Sequence, residues 1–168
     1  ATAEAGALDE LQRARIDLLR AHLAAAASRG TEATPLLLGA ARRLESLDIS
    51  LARETYVDAF SAALSGARLN NGLGVPEVAQ AISAAPRRSD ADPATADLLL
   101  DAFVALAAGC DTAGPRCRDA LERLSGEDHS AEERLRWLWQ GWVVALEVWD
   151  DESAYSLSYD GVHTARET

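Results

Sequence analysis

The side chains able to do chemistry in this sequence are few and scattered. Three histidines, His22, His129 and His163, could ligate a metal or carry a proton, yet none stands one helical turn from another His or from a Cys, the spacing that would put two ligands on one ion. They read as ordinary surface or partly packed residues, and no metal is expected. Cys110 and Cys117 flank a Gly114-Pro115 turn rather than forming a C-x-x-C pair, so each reads as a buried or incidental thiol, bridged only if the local fold allows it. The acidic clusters Glu132-Glu133 and Asp150-Asp151-Glu152 could hold a cation or supply an acid and a base. Both stand where helices are expected to begin, and the helix dipole accounts for carboxylates there. The pairs Arg42-Arg43 and Arg87-Arg88 read as solvated. Trp137, Trp139, Trp142 and Trp149 could wall a ligand pocket, but their helical spacing makes core packing the expectation, with Trp142 and Trp149 largely buried between neighbouring helices. No G-x-x-x-x-G-K-[ST] loop is present, and no lysine exists to supply its ammonium. No catalytic, cofactor-binding or metal-binding residue is therefore singled out, and the chain is expected not to be an enzyme.

The elements that would position these side chains are helices, because every long apolar period is helical and β-branched alternation is almost absent. Leu11, Ile16, Leu18, Leu19, Leu23 and Ala27 place an amphipathic helix over Asp9 to Ser28, closed by Gly30. Pro35 suits the first turn of a second helix reaching Leu47, and Asp48 is a natural N-cap for a third. That third helix, Ile49 to Leu69, carries a small-residue seam at Ala52, Tyr56, Ala59, Phe60, Ala63, Leu64 and Ala67, suited to close packing. Shorter helices are expected over Val75 to Ala85, from Pro93 to Ala108 and over Arg116 to Leu124, with Arg87 to Pro93 as a polar, mobile loop. Ser130 and Glu133 form a capping box for a helix reaching Trp149. Its apolar stripe is read at Leu135, Leu138, Trp142, Ala145 and Trp149, widened by Trp139, Val143 and Leu146. A last helix runs from the Asp150 cluster to about Glu167.

At 168 residues the chain is the size of one domain, and 48% hydrophobic with 26% charged residues is a globular composition. Its longest uncharged apolar runs, such as Leu23 to Ala27, fall far short of the ~20 residues a membrane-spanning helix needs. Sixteen basic against 27 acidic residues give a net charge of −11, which repels a phosphate backbone, so direct nucleic-acid binding is not expected. With no signal-peptide pattern at its start, the chain is expected in the cytoplasm. All sixteen basic residues are Arg, and Ala occurs 35 times. That combination suggests a GC-rich, actinobacterial source, and the absence of Met suggests a piece excised from something larger. The helices group as pairs about 35 to 45 residues apart, the spacing of helix-hairpin repeats. The expected fold is all-α, with antiparallel helix pairs stacked as a tetratricopeptide-like α-solenoid of seven or eight helices, a compact bundle being the competitor.

Five phrases, in order, carry a resemblance. They are Thr34 to Leu47 (TPLLLGAARRLESL), Asp48 to Leu69 (DISLARETYVDAFSAALSGARL), Gly74 to Ala85 (GVPEVAQAISAA), Ala96 to Ala102 (ADLLLDA) and Glu133 to Glu152 (ERLRWLWQGWVVALEVWDDE). Together they resemble the helical middle region of large actinobacterial LuxR-family transcriptional regulators, which place an ATPase module before it and a helix-turn-helix after it. The resemblance implies a sensing or interaction scaffold whose partner is a protein or a small inducer. It transfers no catalytic, nucleotide-binding or base-reading residue. A homodimer is expected through an exposed end of the helix stack, where Tyr155, Leu157, Tyr159 and Val162, or Leu11, Leu18 and Leu19, lack a covering repeat. The alternative from another class is a stand-alone all-α enzyme or a ligand-binding bundle with a Trp-lined pocket.

Overall fold

The computed structural model describes residues 9–27, 30–66, 73–88, 92–109, 111–126 and 130–167. These form eight helices and no strand: α1 (Glu10–Ala26), α2 (Gly30–Leu44), α3 (Ile49–Gly66), α4 (Val75–Ala84), α5 (Thr95–Ala108), α6 (Ala113–Leu124), α7 (Ala131–Glu147) and α8 (Asp151–Glu167). The fold is all-α. No helix among the described residues is long and apolar enough to cross a membrane.

Contacts divide the chain into two compact units, Ala1–Arg88 and Ser89–Thr168. In the first, α2 packs between α1 and α3, and α4 packs on α3. In the second, α5 pairs with α6 and α7 with α8, while α7 also touches α5 and α6. Short links between consecutive helices favour these neighbour-to-neighbour contacts, an order that a stack of hairpins and an up-and-down bundle share.

Local signals set most helix starts. Asp9 and Gln12 form a capping box at α1, the Asp48 side chain accepts from the backbone N–H of Leu51 at 3.0 Å to start α3, and Ser130 and Glu133 cap each other at α7. Each satisfies backbone N–H groups that have no partner inside the helix. Proline and glycine behave less simply than the sequence suggests. Gly30 is the first residue of α2 rather than the stop of α1, so Pro35 lies inside α2 and not at its start. Gly114 and Pro115 likewise fall in the first turn of α6, where a missing N–H costs nothing because first-turn N–H groups have no helical acceptor. Gly109, in the left-handed conformation at φ 60°, does end α5 as a C-terminal glycine should.

The core of the first unit follows the expected seam: Ala52, Tyr56, Ala59, Phe60 and Ala63 are buried, with Leu37, Leu38 and Leu44 of α2. The Tyr56 hydroxyl donates to Glu45 Oε1 at 2.5 Å. Burial, reinforced by that carboxylate, pushes the phenol well above its usual pKa. The expected loop over Arg87 to Pro93 lies partly outside the described residues, as does the end of the seam at Ala67.

Candidate interaction surface

The second unit holds the candidate surface, and it comes from an inversion in how α7 and α8 pack. On α7 the buried positions are Trp137, Gln140, Gly141, Val144 and Ala145, spaced as one helical face. On α8 they are Ala154, Gly161 and Thr164. Small residues therefore face the partner helix. A Cβ on Gly161 would meet Leu138 Cδ2 at 2.5 Å, and one on Gly141 would meet Leu124 Cδ1 at 2.7 Å. Leucine side chains fill the space the two glycines leave, while Trp139, Tyr155, Tyr159 and Val162 are exposed.

Of the stripe expected as core on α7, Ala145 is buried, Leu135, Leu138 and Trp142 are half-buried, and Trp149 is exposed. Trp139 is 49% exposed and stacks on the half-buried Trp142, ring centroids 5.5 Å apart. Trp149, expected to be buried, is 89% exposed. The reason is local: α7 ends at Glu147, and Trp149 lies beyond it with φ 58°, so its side chain leaves the helical register. The tryptophan that is buried is Trp137, at 5% exposure, with the Arg136 guanidinium 4.8 Å from its ring centroid. Leu135, Leu138, Trp139, Trp142, Ser158 and Val162 line an open groove of about 400 Å³ between α7 and α8. Tyr155 and Tyr159 are also exposed on α8, and Tyr159 stands between Tyr155 and His163 in a run of ring contacts.

The groove has little chemistry. Its one hydroxyl, on Ser158, donates to Ala154 O at 2.7 Å. A second cleft, of about 320 Å³, is more polar, lined among others by Glu133, Arg134, Trp137, Asp160, His163 and Thr164. In the first unit, Arg15, Leu18, Leu19, His22, Asp48 and Glu54 border a shallow depression.

The remaining candidates from the sequence have structural surroundings. His22 Nε2 lies 2.9 Å from Asp58 Oδ2, joining α1 to α3. Cys117 is buried and unbridged, and burial, with the nearby Glu147 carboxylate, pushes its thiol up to about 11. Asp150 caps α8: its Oδ1 accepts from Ser153 N at 3.0 Å and its Oδ2 from Ser153 Oγ at 2.7 Å. Those bonds, the backbone one foremost, hold its carboxyl below the usual range. Arg88 donates to Ser50 at 3.2 Å, and Arg43 pairs with Asp17. Cys110 and His129 lie outside the described residues. Among the described residues no group of three His, Cys, Asp or Glu side chains is placed to hold a metal ion.

Sequence reasoning missed the uneven charge. Residues 1–88 carry ten acidic side chains and ten arginines, while residues 89–168 carry seventeen acidic side chains and six arginines. The whole net charge of −11 thus belongs to the half that presents the aromatic surface.

In comparisons with known proteins, no family model, curated protein or solved structure matches the chain.

Proposed function

We propose that this chain is a non-catalytic helical scaffold that binds another protein through the outer face of α7 and α8. The observation that carries this reading is the outward placement of Trp139, Trp149, Tyr155, Tyr159 and Val162. Trp139 and Val162 border one groove and Tyr155, Tyr159 and Val162 follow one side of α8; large apolar side chains gathered in this way mark interaction sites, and Trp and Tyr dominate their energetics. In the wider setting suggested by the phrases from Thr34 to Glu152, the scaffold belongs to a cytoplasmic LuxR-family transcriptional regulator, between a nucleotide switch and a DNA reader. A stacked, tetratricopeptide-like order of helix pairs suits that role.

The alternative, an enzyme or ligand-binding bundle with a Trp-lined pocket, takes its support from the groove beside Trp139 and Trp142. No acidic, basic or histidine side chain lines it, which leaves no general acid or base to move a proton. Self-association is better placed in the first unit. There Leu19 and Leu23 are exposed one turn apart on α1, in a segment whose charges balance.

A photo-reactive amino acid at Trp139, introduced into the whole protein in its native cells, tests the scaffold. The expected result is a discrete cross-linked product that is absent when the same group replaces the exposed Arg118 on α6. Equal labelling from both positions, or none from either, removes the reading. The regulator setting is tested by the gene itself, where a phosphate loop encoded upstream and a helix-turn-helix downstream are expected. An open reading frame with neither would remove it.

A further inference from the structure

We infer that the α7–α8 groove docks an amphipathic helix rich in Arg and Lys, a partner chemistry that rests on the scaffold reading above. A groove between two antiparallel helices, apolar along its floor, accepts the apolar face of a third helix, with anchors at helical spacing.

Charge selects among such helices. With seventeen acidic side chains against six arginines, residues 89–168 attract a basic segment and repel both an acidic one and a second copy of themselves. Locally, Asp151 and Glu152 are exposed one turn before Tyr155, on the same side of α8 as Tyr155 and Tyr159. The Asp150 carboxylate is occupied in capping, so Asp151 and Glu152 are the carboxylates that α8 offers beside Tyr155. Arg166 follows Val162 by one turn, so the basic residues of the partner belong at the Asp151 end. Guanidinium groups also stack on the faces of Trp and Tyr, so Trp139, Tyr155 and Tyr159 favour the same partner that the carboxylates do.

Trp149, just past the end of α7 and outside the groove lining, adds one more exposed aromatic to this helix pair. It adopts φ 58°, a conformation that disfavours every side chain with a Cβ and that glycine adopts without cost. Its indole is 89% exposed and so recovers almost nothing by burial. A large aromatic kept in a strained, solvent-facing position makes sense when a partner covers it.

Calorimetric titration of the chain with four designed peptides tests the inference. Three share one helical apolar face and differ in the other, which is Arg/Lys, Gln or Glu. The fourth has the composition of the basic peptide, scrambled so that no apolar face forms. The expected result is saturable one-to-one binding of the basic amphipathic peptide, about tenfold tighter than any other. The Trp139→Ser/Tyr159→Ser double variant should weaken it about tenfold, and so should Asp151→Asn/Glu152→Gln in part, with unchanged circular dichroism in both. Equal binding of the scrambled peptide would reduce the effect to bulk charge and overturn the groove. Equal binding of the Gln or Glu peptide would overturn the basic partner while leaving the scaffold reading intact. No binding of any peptide, or blockage of the groove by a second copy of the chain, would overturn the docking of a foreign helix. The cross-linking from Trp139 fails or succeeds separately.

Discussion

A Cβ on Gly161 would fall 2.5 Å from Cδ2 of Leu138, so a leucine of α7 fills the space that a side chain on α8 would need. Gly141 repeats the relationship from the other helix, but between two leucines: Leu124 Cδ1 at 2.7 Å and Leu157 Cδ1 at 3.1 Å. The two glycines should respond differently to alanine. An added Cβ on Gly141 requires Leu124 of α6 and Leu157 of α8 to shift together, so Gly141→Ala is expected to lose about 1–2 kcal/mol, despite the gain of roughly 1 kcal/mol in helix propensity. Half-buried Leu138 borders the open groove and can swing into it, so Gly161→Ala should be nearly neutral. Urea unfolding of both variants measures the contrast. A stabilised Gly141→Ala would mean that the helices are not closely packed there.

Trp149 gives a substitution that should stabilise the protein. The backbone closes α7 in the way glycine usually does: Trp149 N donates to Leu146 O at 3.2 Å and Asp150 N to Ala145 O at 2.9 Å, around a residue at φ 58°. Trp149→Gly relieves the strain while removing little buried surface, and a gain of about 1 kcal/mol is expected. Thermal unfolding of the isolated chain checks the sign. A loss of stability would mean that the indole packs on the fold in solution.

The tryptophans of α7 should separate cleanly in a truncation series. Trp137→Ala removes a buried side chain and should cost about 3–5 kcal/mol, whereas Trp139→Ala removes a half-exposed one and should cost less than about 1 kcal/mol. Denaturant midpoints decide it, and equal costs would contradict the inversion of α7 and α8.

This inversion shows where the sequence was legible and where it was not. Helix existence was readable throughout, because the caps at Asp9, Asp48 and Ser130 and the stripes of α2 and α3 all agree. In α3 the small residues lie among large ones on one side, so the seam and the core coincide. Along α7, apolar residues from Leu135 to Val148 surround the helix. Two stripes can be drawn, both passing through Ala145, and the size of the side chains favours the one whose Leu135, Leu138 and Trp142 are only half-buried. The buried face passes through Gln140 and Gly141, residues that a hydrophobicity count scores against burial. What decides the matter is the closeness of α8, which depends on Gly161 some twenty residues away. The exposure of Trp149 was hidden for a different reason. Its αL conformation breaks the helical register at a residue whose type gives no turn signal. Glycine misled in the opposite sense, since Gly30 and Gly114 sit inside first turns where a sequence reading takes them as stops.

Cys117 should be inert in the folded chain. Its thiol is buried and pushed up to about 11 from an ordinary 9.0, so hardly any thiolate exists at pH 8. In a Cys110→Ser background, iodoacetamide is expected to label Cys117 only after unfolding. The same displacement has a pH sign. Between 9.0 and about 11 the unfolded thiol ionises while the folded one stays protonated, so stability falls as pH rises through that window. A Cys117→Ala variant, compared with its parent from pH 8 to 11, should lack that part of the decline. Rapid labelling of the folded chain at pH 8 would show that the thiol reaches solvent.

Asp150 is expected to contribute through its cap, with the opposite pH dependence. Its two carboxylate oxygens accept from the N–H and the hydroxyl of Ser153, while its own N–H closes α7 on Ala145 O. One residue therefore ends one helix and begins the next, and only the second role needs the side chain. Asp150→Ala should lower stability by about 1 kcal/mol at neutral pH, the usual loss for an N-cap. The folded carboxyl is held below its ordinary 3.8, so the unfolded state takes up the proton first as pH falls. The contribution is fully present above 3.8 and is lost as pH drops through the lower, folded value. Unfolding free energies of parent and variant, measured from pH 7 to pH 2.5, should thus converge at the acid end. A constant difference across the range would mean that the negative charge plays no part in the cap. Widening of the difference in acid would place Asp150 in some other interaction altogether.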